Sequence, residues 1–382
     1  MQQRRKILSL VITRNCNLNC SYCYVVDKRA VSMSFNTACR AIRDAFSEAE
    51  KKFDFLEISF IGGEPLCEFP LLMRLTEWVR RQKFTLPHIL YATTNGTLLD
   101  DNKKDWFAAH KDEFVLGLSY DGQFFAQDKN RSASSSLVDL DFFLRTWPSQ
   151  SLKMTIDESS VAYLSQNIIT LHERGALVSA NCACGMPDWK KASWNEYAKQ
   201  LKKLVKFYLT HPQYKPINLI GDFDLIKLAF PKRKHKRHCE AGTSAYNAVD
   251  IDGSSYACHM FSPLAIPQSQ NVPKISTLLR RSRRECDECY IEPQCMTCYG
   301  MSYKLSGDVL HRENNICMAT KMQFAACCKF HAERLKMKSP SDYSTDDVAI
   351  AKALLKLHAW GIPHVNNPRK TKEYSHVKVK TD

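Results

Sequence analysis

Sixteen cysteines in a chain of 382 residues limit its possible folds more than any other feature. In an exported protein they could close as disulfides. The start, MQQRRKILSLVITRNC, has a basic head but too short an apolar run and no small-residue cleavage site, so it reads as no signal peptide. No stretch approaches the ~20 apolar residues of a membrane span. Cysteines at short spacings in a cytoplasmic setting read as metal or cluster ligands, which excludes an ordinary metal-free enzyme. The remainder, 44% apolar and 25% charged, has a globular composition. Its length suits two domains, or one large barrel with a smaller module.

The first half alternates regularly. Short runs rich in strand formers, Ile7–Thr13, Phe55–Ile61, His88–Thr93, Phe114–Tyr120, Leu152–Ile156 and Ala176–Ala180, alternate with helical spacings over Phe35–Phe53, Leu71–Phe84, Asp100–His110, Leu137–Trp147 and Tyr163–Arg174. Alternation at this spacing implies a parallel sheet with right-handed crossovers. Six units predict an α/β fold, a partial (β/α)6 TIM-type barrel. The working residues of such barrels sit at the carboxyl ends of the strands. Here those ends carry Cys16, Gly62–Pro65, Asn95, Ser119–Asp121 and Cys182/Cys184. A long basic helix is predicted from Trp189 to Leu209. Beyond it most of the cysteines cluster in a module poor in long regular elements, where cross-linking by bound metal can replace a hydrophobic core. A further helix is expected over Val348–Trp360, then a polar basic end. The expected division is 1–188 for the barrel, 189–235 for a helical basic linker, 236–330 for the cysteine-rich domain and 331–382 for the tail.

Directly after the first strand, Cys16, Cys20 and Cys23 stand as CNLNCSYC. Tetrahedral zinc takes four ligands, and no fourth Cys or His follows nearby, so a zinc knuckle would have to borrow a distant one. A [4Fe–4S] cubane held by three thiolates instead leaves one iron open.

This CxxxCxxC loop, with Tyr22 as its aromatic, resembles the radical S-adenosylmethionine superfamily. Gly62-Gly63-Glu64-Pro65 is similar to that family's GGEP turn after the second strand, and Asn95-Gly96 to its third-strand turn. Ser119–Gly122 with Asp128–Arg131 resembles its SxDG…HDxxR segment, with Gln127 where the family has histidine. The resemblance implies a [4Fe–4S] cluster on Cys16, Cys20 and Cys23, whose open iron chelates the amine and carboxylate of S-adenosyl-L-methionine. It further implies contacts to that cofactor from Tyr22, Gly62, Gly63, Glu64, Pro65, Asn95, Ser119 and Arg131. Reductive cleavage would then give a 5′-deoxyadenosyl radical that abstracts hydrogen from the substrate.

In the second half, Cys239, Gly253, Cys258, Cys286, Cys289, Cys295, Cys298 and Cys317 follow the order of the SPASM extension of radical enzymes that modify peptides and proteins. The resemblance spans residues 7–317. It implies two auxiliary [4Fe–4S] clusters, one on Cys286, Cys289, Cys295 and Cys317, the other on Cys239, Cys258 and Cys298 with one iron lacking a cysteine. CxxC spacing suits structural zinc equally well. Of the remaining cysteines, Cys39 and the Cys327-Cys328 pair are expected to pack on helices, the pair on a short one, and Cys67 beside the GGEP turn. Cys182 and Cys184 face the active side, where they could ligate the open auxiliary iron, serve acid–base chemistry or remain inert.

The formal charge is +14, with basic runs at Pro231–His238, Arg280–Arg284 and from Arg369. Anionic clusters beside the first two would offset part of it, and the excess favours an acidic partner such as a peptide leader. The resemblance points first to a maturase acting on a ribosomally made precursor peptide through crosslinking or epimerisation. It points second to an anaerobic sulfatase maturase that oxidises Cys or Ser to formylglycine. The latter usually carry an eighth module cysteine soon after the first, and Ala241–Asn247 contains none. A flavodoxin or ferredoxin would supply electrons. The barrel motifs argue against a zinc and nucleic-acid binding module and no membrane partner is expected. No separate leader-binding domain is expected before the first strand.

Overall fold

The computed structural model describes residues 4–231, 239–267, 286 and 289–359. The chain begins with β1 (Arg5–Thr13), α1 (Phe35–Ala49), β2 (Phe55–Gly62), α2 (Phe69–Gln82), β3 (His88–Thr94), α3 (Asp101–Ala109), β4 (Phe114–Leu118), α4 (Phe124–Asn130) and α5 (Leu140–Thr146). Then come β5 (Leu152–Ile156), α6 (Leu164–Glu173), β6 (Val178–Cys182), α7 (Lys191–Thr210), α8 (Asn218–Gly221) and α9 (Leu225–Ala229). The cysteine-rich half adds β7 (Tyr246–Val249), β8 (Ser255–Tyr256), α10 (Tyr299–Ser306), α11 (Asn314–Lys336) and α12 (Thr345–Ala359).

The helices start where side chains satisfy their first amides. Ser34, Asp100 and Asp139 accept from Thr37, Lys103 and Phe142. On α1, Ala38, Cys39, Ile42, Ala45, Phe46 and Ala49 bury one stripe against Leu8, Leu10 and Ile12 of β1. Strands β1–β4 pair in parallel and in sequence order, from Leu8 opposite Ile58 to Thr94 opposite Leu118. Their carboxyl ends therefore share one rim.

The structure amends the sequence reading in three places. The six strands do not form one ladder: β5 and β6 pair only with each other, and one bridge, Ser119 to Lys153, joins them to β4. The main sheet instead gains β7 from the cysteine-rich half, parallel to β1, giving the order β4-β3-β2-β1-β7-β8. The cysteine-rich half also contains a long element, the 23-residue α11, and Cys327 and Cys328 lie within it rather than on a short helix. Ala319, Met322 and Ala326 of α11 join the core around Tyr197 and Leu204 of α7, while Phe324, Cys327 and Cys328 face Phe223, Leu228 and the α12 residues Ala353 and Leu357. Of the basic runs, all but Pro231 lies outside the described residues, as does Trp360 at the end of the last predicted helix.

Candidate metal and cofactor centre

The CxxxCxxC loop is held by the turn beside it. A Cβ on Gly62 would stand 2.0 Å from the Thr13 carbonyl oxygen, and one on Gly63 2.3 Å from that of Asn15. The glycine pair lets the two backbones meet, and Gly63 N–H donates to Thr13 O (3.1 Å) and Glu64 N–H to Asn15 O (2.8 Å). Within the loop Cys16 Sγ accepts from Leu18 N–H at 3.5 Å, and Lys28 Nζ donates to Leu18 O at 2.7 Å. Burial raises the Cys20 thiol, with Arg131 pulling the other way. Cys67, expected only to pack, stands beside the loop: its thiol is pushed up to about 11 by burial, then by Glu64 and Cys16.

Glu64 is enclosed, and its carboxylate accepts from Leu66 N–H (3.0 Å), Thr94 Oγ1 (2.7 Å) and Asn95 N–H (2.7 Å). Burial raises its pKa and these bonds counter it. Of its about four acceptor positions one is left for a ligand. Pro65 opens the short turn Pro65–Glu68 and is buried. Asn95 bridges to the loop, donating from its amide to Asn17 Oδ1 at 3.0 Å. The glycine turn, the β3 turn and the three-thiol loop thus form one connected rim.

Beyond them Tyr22 donates to the Asp121 carboxylate. Arg131 pairs with the same carboxylate through Nη2 to Oδ1 and Nε to Oδ2, both 3.1 Å, and its guanidinium lies 5.4 Å from the Tyr22 ring centre. Asp121 Oδ1 also accepts from Thr155 N–H at 2.9 Å. Arg131 therefore has an internal partner. Gln127, where the resemblance implies histidine, accepts from Asp121 N–H at 2.9 Å and donates to Ser134 Oγ at 3.0 Å. Ser119 follows β4 directly, part-buried and bridged to Lys153.

On the sheet face opposite α1, Ser9 Oγ meets Tyr246 Oη at 2.6 Å, and Tyr246 Oη meets His259 Nδ1 at 2.9 Å. Lys153 Nζ donates to Thr93 Oγ1 at 2.8 Å and lies 4.8 Å from the Tyr91 ring centre. The cavity face is thus polar where the helix-facing side is Leu and Ile.

Burial raises the Cys289 thiol, with Cys295 and Cys317 adding to the rise, and Cys289 N–H donates to Cys286 O at 3.0 Å. Cys298 caps α10, its sulfur accepting from Met301 N–H at 3.4 Å. Its thiol is pushed up to about 12 by burial, then by Cys184, Cys258 and Cys239. Among the described residues no three Cys, His, Asp or Glu side chains converge as one metal ion requires. The thiolates of a cubane stand farther apart, because each grips its own iron.

Residues 6–138 match the family described as a 4Fe-4S single cluster domain. A Cysteine-type anaerobic sulfatase-maturating enzyme of Clostridium novyi is 32% identical over 139 residues, 33% of this chain and 36% of that protein. An uncharacterized protein of Methanocaldococcus jannaschii is 36% identical over 118 residues, 31% of this chain and 39% of that protein. The matched stretch thus spans less than two fifths of these curated relatives. Native anSMEcpe with bound AdoMet shares the fold over 86% of this chain and 98% of that chain (TM-score 0.66, 18% identity). The chain thus shares the fold of that structure, and residues 6–138 within it carry the 4Fe-4S domain match. Streptococcus suis SuiB bound to precursor peptide SuiA has the same fold over 82% of this chain and 76% of that chain (TM-score 0.54, 14% identity).

Three features of the site carry no signal in the motifs. Asp121 is the hub that joins Tyr22, Arg131 and β5, although only its turn was legible. Arg14, two residues before Cys16, makes a buried ion pair with Asp250 (2.8 Å), fastening the CxxxCxxC loop to the β7–β8 hairpin. Lys304 of α10 donates to Tyr24 O at 3.1 Å and senses both Cys23 and Cys184, so it stands between loop and module. Neither Arg14 nor Lys304 belongs to a motif, and no spacing signal marks them.

Proposed function

We propose that this chain is a maturase that modifies a peptide or protein by hydrogen abstraction, using Cys16, Cys20 and Cys23 to hold the [4Fe–4S] cluster that binds S-adenosylmethionine. The three thiols of the CxxxCxxC loop, joined on one rim to the glycine turn and the enclosed Glu64 carboxylate, carry the reading. When bound, the cluster and S-adenosylmethionine together supply a carbon-centred radical that removes a substrate hydrogen. The chain's residues do the positioning. The glycine turn and Asn95 fix the loop, the remaining acceptor position of Glu64 would take the cofactor's ammonium, and Asp121 keeps Tyr22 and Arg131 in place near Cys20. Gly62, Gly63, Pro65 and Ser119 complete the cofactor's cradle.

In this reading Cys286, Cys289, Cys295 and Cys317 hold one auxiliary [4Fe–4S] cluster, and Cys239, Cys258 and Cys298 a second. Barrel, linker and cluster module divide near residues 188 and 235, and the tail follows α11, inside which residue 330 falls. The substrate is a ribosomally made precursor peptide, the reaction a crosslink or epimerisation in the cytoplasm, and a flavodoxin or ferredoxin donates electrons. The missing eighth module cysteine favours this over sulfatase maturation. The likeness to the Clostridium novyi enzyme favours the second reading, oxidation of a sulfatase Cys or Ser to formylglycine. Anaerobically reconstituted protein with S-adenosylmethionine and dithionite is expected to release 5′-deoxyadenosine, measured by liquid chromatography with mass detection. Cys16→Ala protein that releases it at the native rate refutes the assignment. Mass analysis of a co-expressed neighbouring-gene peptide, against a Cys-containing sulfatase peptide, separates the two substrates.

A further inference from the structure

We propose that Cys184, just beyond the last barrel strand, is the fourth ligand of the auxiliary cluster held by Cys239, Cys258 and Cys298. The inference rests on the auxiliary-cluster reading above and adds a ligand from outside the module.

Three observations place Cys184 there. First, Cys184, Cys258 and Cys298 pack against one small apolar cluster of Met260, Ala265 and Met301. Cys239 and Cys258 share the adjoining cluster of Ala241, Phe261 and Tyr299, so Cys258 belongs to both. Second, the backbone brings the barrel segment onto the module. A Cβ on Gly185 would stand 2.3 Å from Met301 Sδ, and Gly185 N–H donates to Glu313 Oε1 at 2.8 Å. Met301 is the residue whose amide donates to Cys298 Sγ, so Cys184 and Cys298 sit on either side of one contact. Third, the two cysteines of the Cys-Ala-Cys run are treated differently. Cys182 ends β6 in the main core and shares a hydrogen bond with Tyr197, which also receives Gln323 Nε2 at 2.8 Å. Cys184 is part-buried and turned to the module.

A cubane takes four thiolates when fully ligated, and the module supplies three to this site. Cys184 supplies the missing one, which makes up for the absence of a cysteine in Ala241–Asn247. A closed cluster has no vacant iron to bind a substrate thiol. Its remaining role is to pass electrons or to brace the joint between barrel and module.

The test uses full-length protein with Cys16, Cys20 and Cys23 all changed to Ala, so that only auxiliary clusters remain. Iron is counted, and the reduced protein is treated with ¹³C-labelled cyanide and examined for carbon hyperfine coupling. The expected result is about eight irons per chain and no coupling. Adding Cys184→Ala is expected to expose one iron and produce the coupling, whereas adding Cys182→Ala is not. Coupling of full size while Cys184 is intact overturns the inference and leaves the auxiliary clusters standing. A chain with no iron overturns the auxiliary-cluster reading as well. If the Cys184→Ala protein does not load iron, the measurement with Cys184 intact still decides.

Discussion

Removing the Asp250 carboxylate should loosen the joint on which the cluster loop depends. Arg14 and Asp250 are 5% and 2% exposed, and their only close contact is Nη2 to Oδ2 at 2.8 Å. Among the described residues Arg14 Nε and Asp250 Oδ1 have no hydrogen-bond partner, so the pair is single-pronged. The nearest alternative carboxylate, Asp27, is 3.9 Å from Nη1 and about half exposed. Asp250→Ala therefore strands a guanidinium that Asp27 compensates poorly. Breaking a buried pair costs ~3–5 kcal/mol, and the single prong places this one at about 3 kcal/mol. With ~2.1 cal/mol/K of unfolding entropy per residue, that loss lowers the melting midpoint by about 4 °C. The assay is a thermal melt of the iron-loaded protein at two salt concentrations. A buried pair is weakly screened, so the deficit should persist at high salt. The double variant Arg14→Met/Asp250→Leu, which removes both charges, should recover most of it. A single variant within about 1 kcal/mol of the parent, or a double variant worse than the single, refutes the argument.

Other outcomes follow from the same structure. Gln127→Ala leaves the Asp121 amide and the Ser134 hydroxyl unsatisfied and should cost ~1–3 kcal/mol by thermal melt, whereas Gln127→His, which can accept and donate at once, should retain most of the stability. Gly63→Ala drives a Cβ against backbone at Asn15 and should lower bound iron, measured per chain, along with ~1–3 kcal/mol of stability. Burial, with Arg334 nearby, lowers His331 from its ordinary 6.5 to about 4. Between those values the unfolded chain holds more protons, so stability should fall as pH drops from 6.5 through 4, and His331→Phe should flatten that slope in melts across the range.

The strands of the first half are legible because each is a short apolar run closed by a turn, and the run Leu152–Ile156 coincides with β5 at both ends. The strand that finishes the sheet was not. Tyr246–Val249 is four residues with no alternation to betray it, and its pairing with β1 is a tertiary fact. Helix α11 escaped because it buries two faces, one toward Tyr197 and one toward Phe223, so no single apolar stripe recurs along it. The loop cysteines and the glycine turn were visible as spacing. What Arg14, Asp121 and Lys304 do was not, because each works through a partner distant in sequence.

The pairing of β7 with β1 also sets a schedule for synthesis. Ser9 and Tyr246, which meet across that seam, are separated by 237 residues. At ~5–20 residues per second, a ribosome leaves the central strand with one bare flank for on the order of 10–50 seconds. During that interval the nascent barrel offers unpaired amides and carbonyls to any neighbouring chain. A nonsense or frameshift lesion just before residue 246 should therefore yield inclusion bodies rather than an inert soluble fragment.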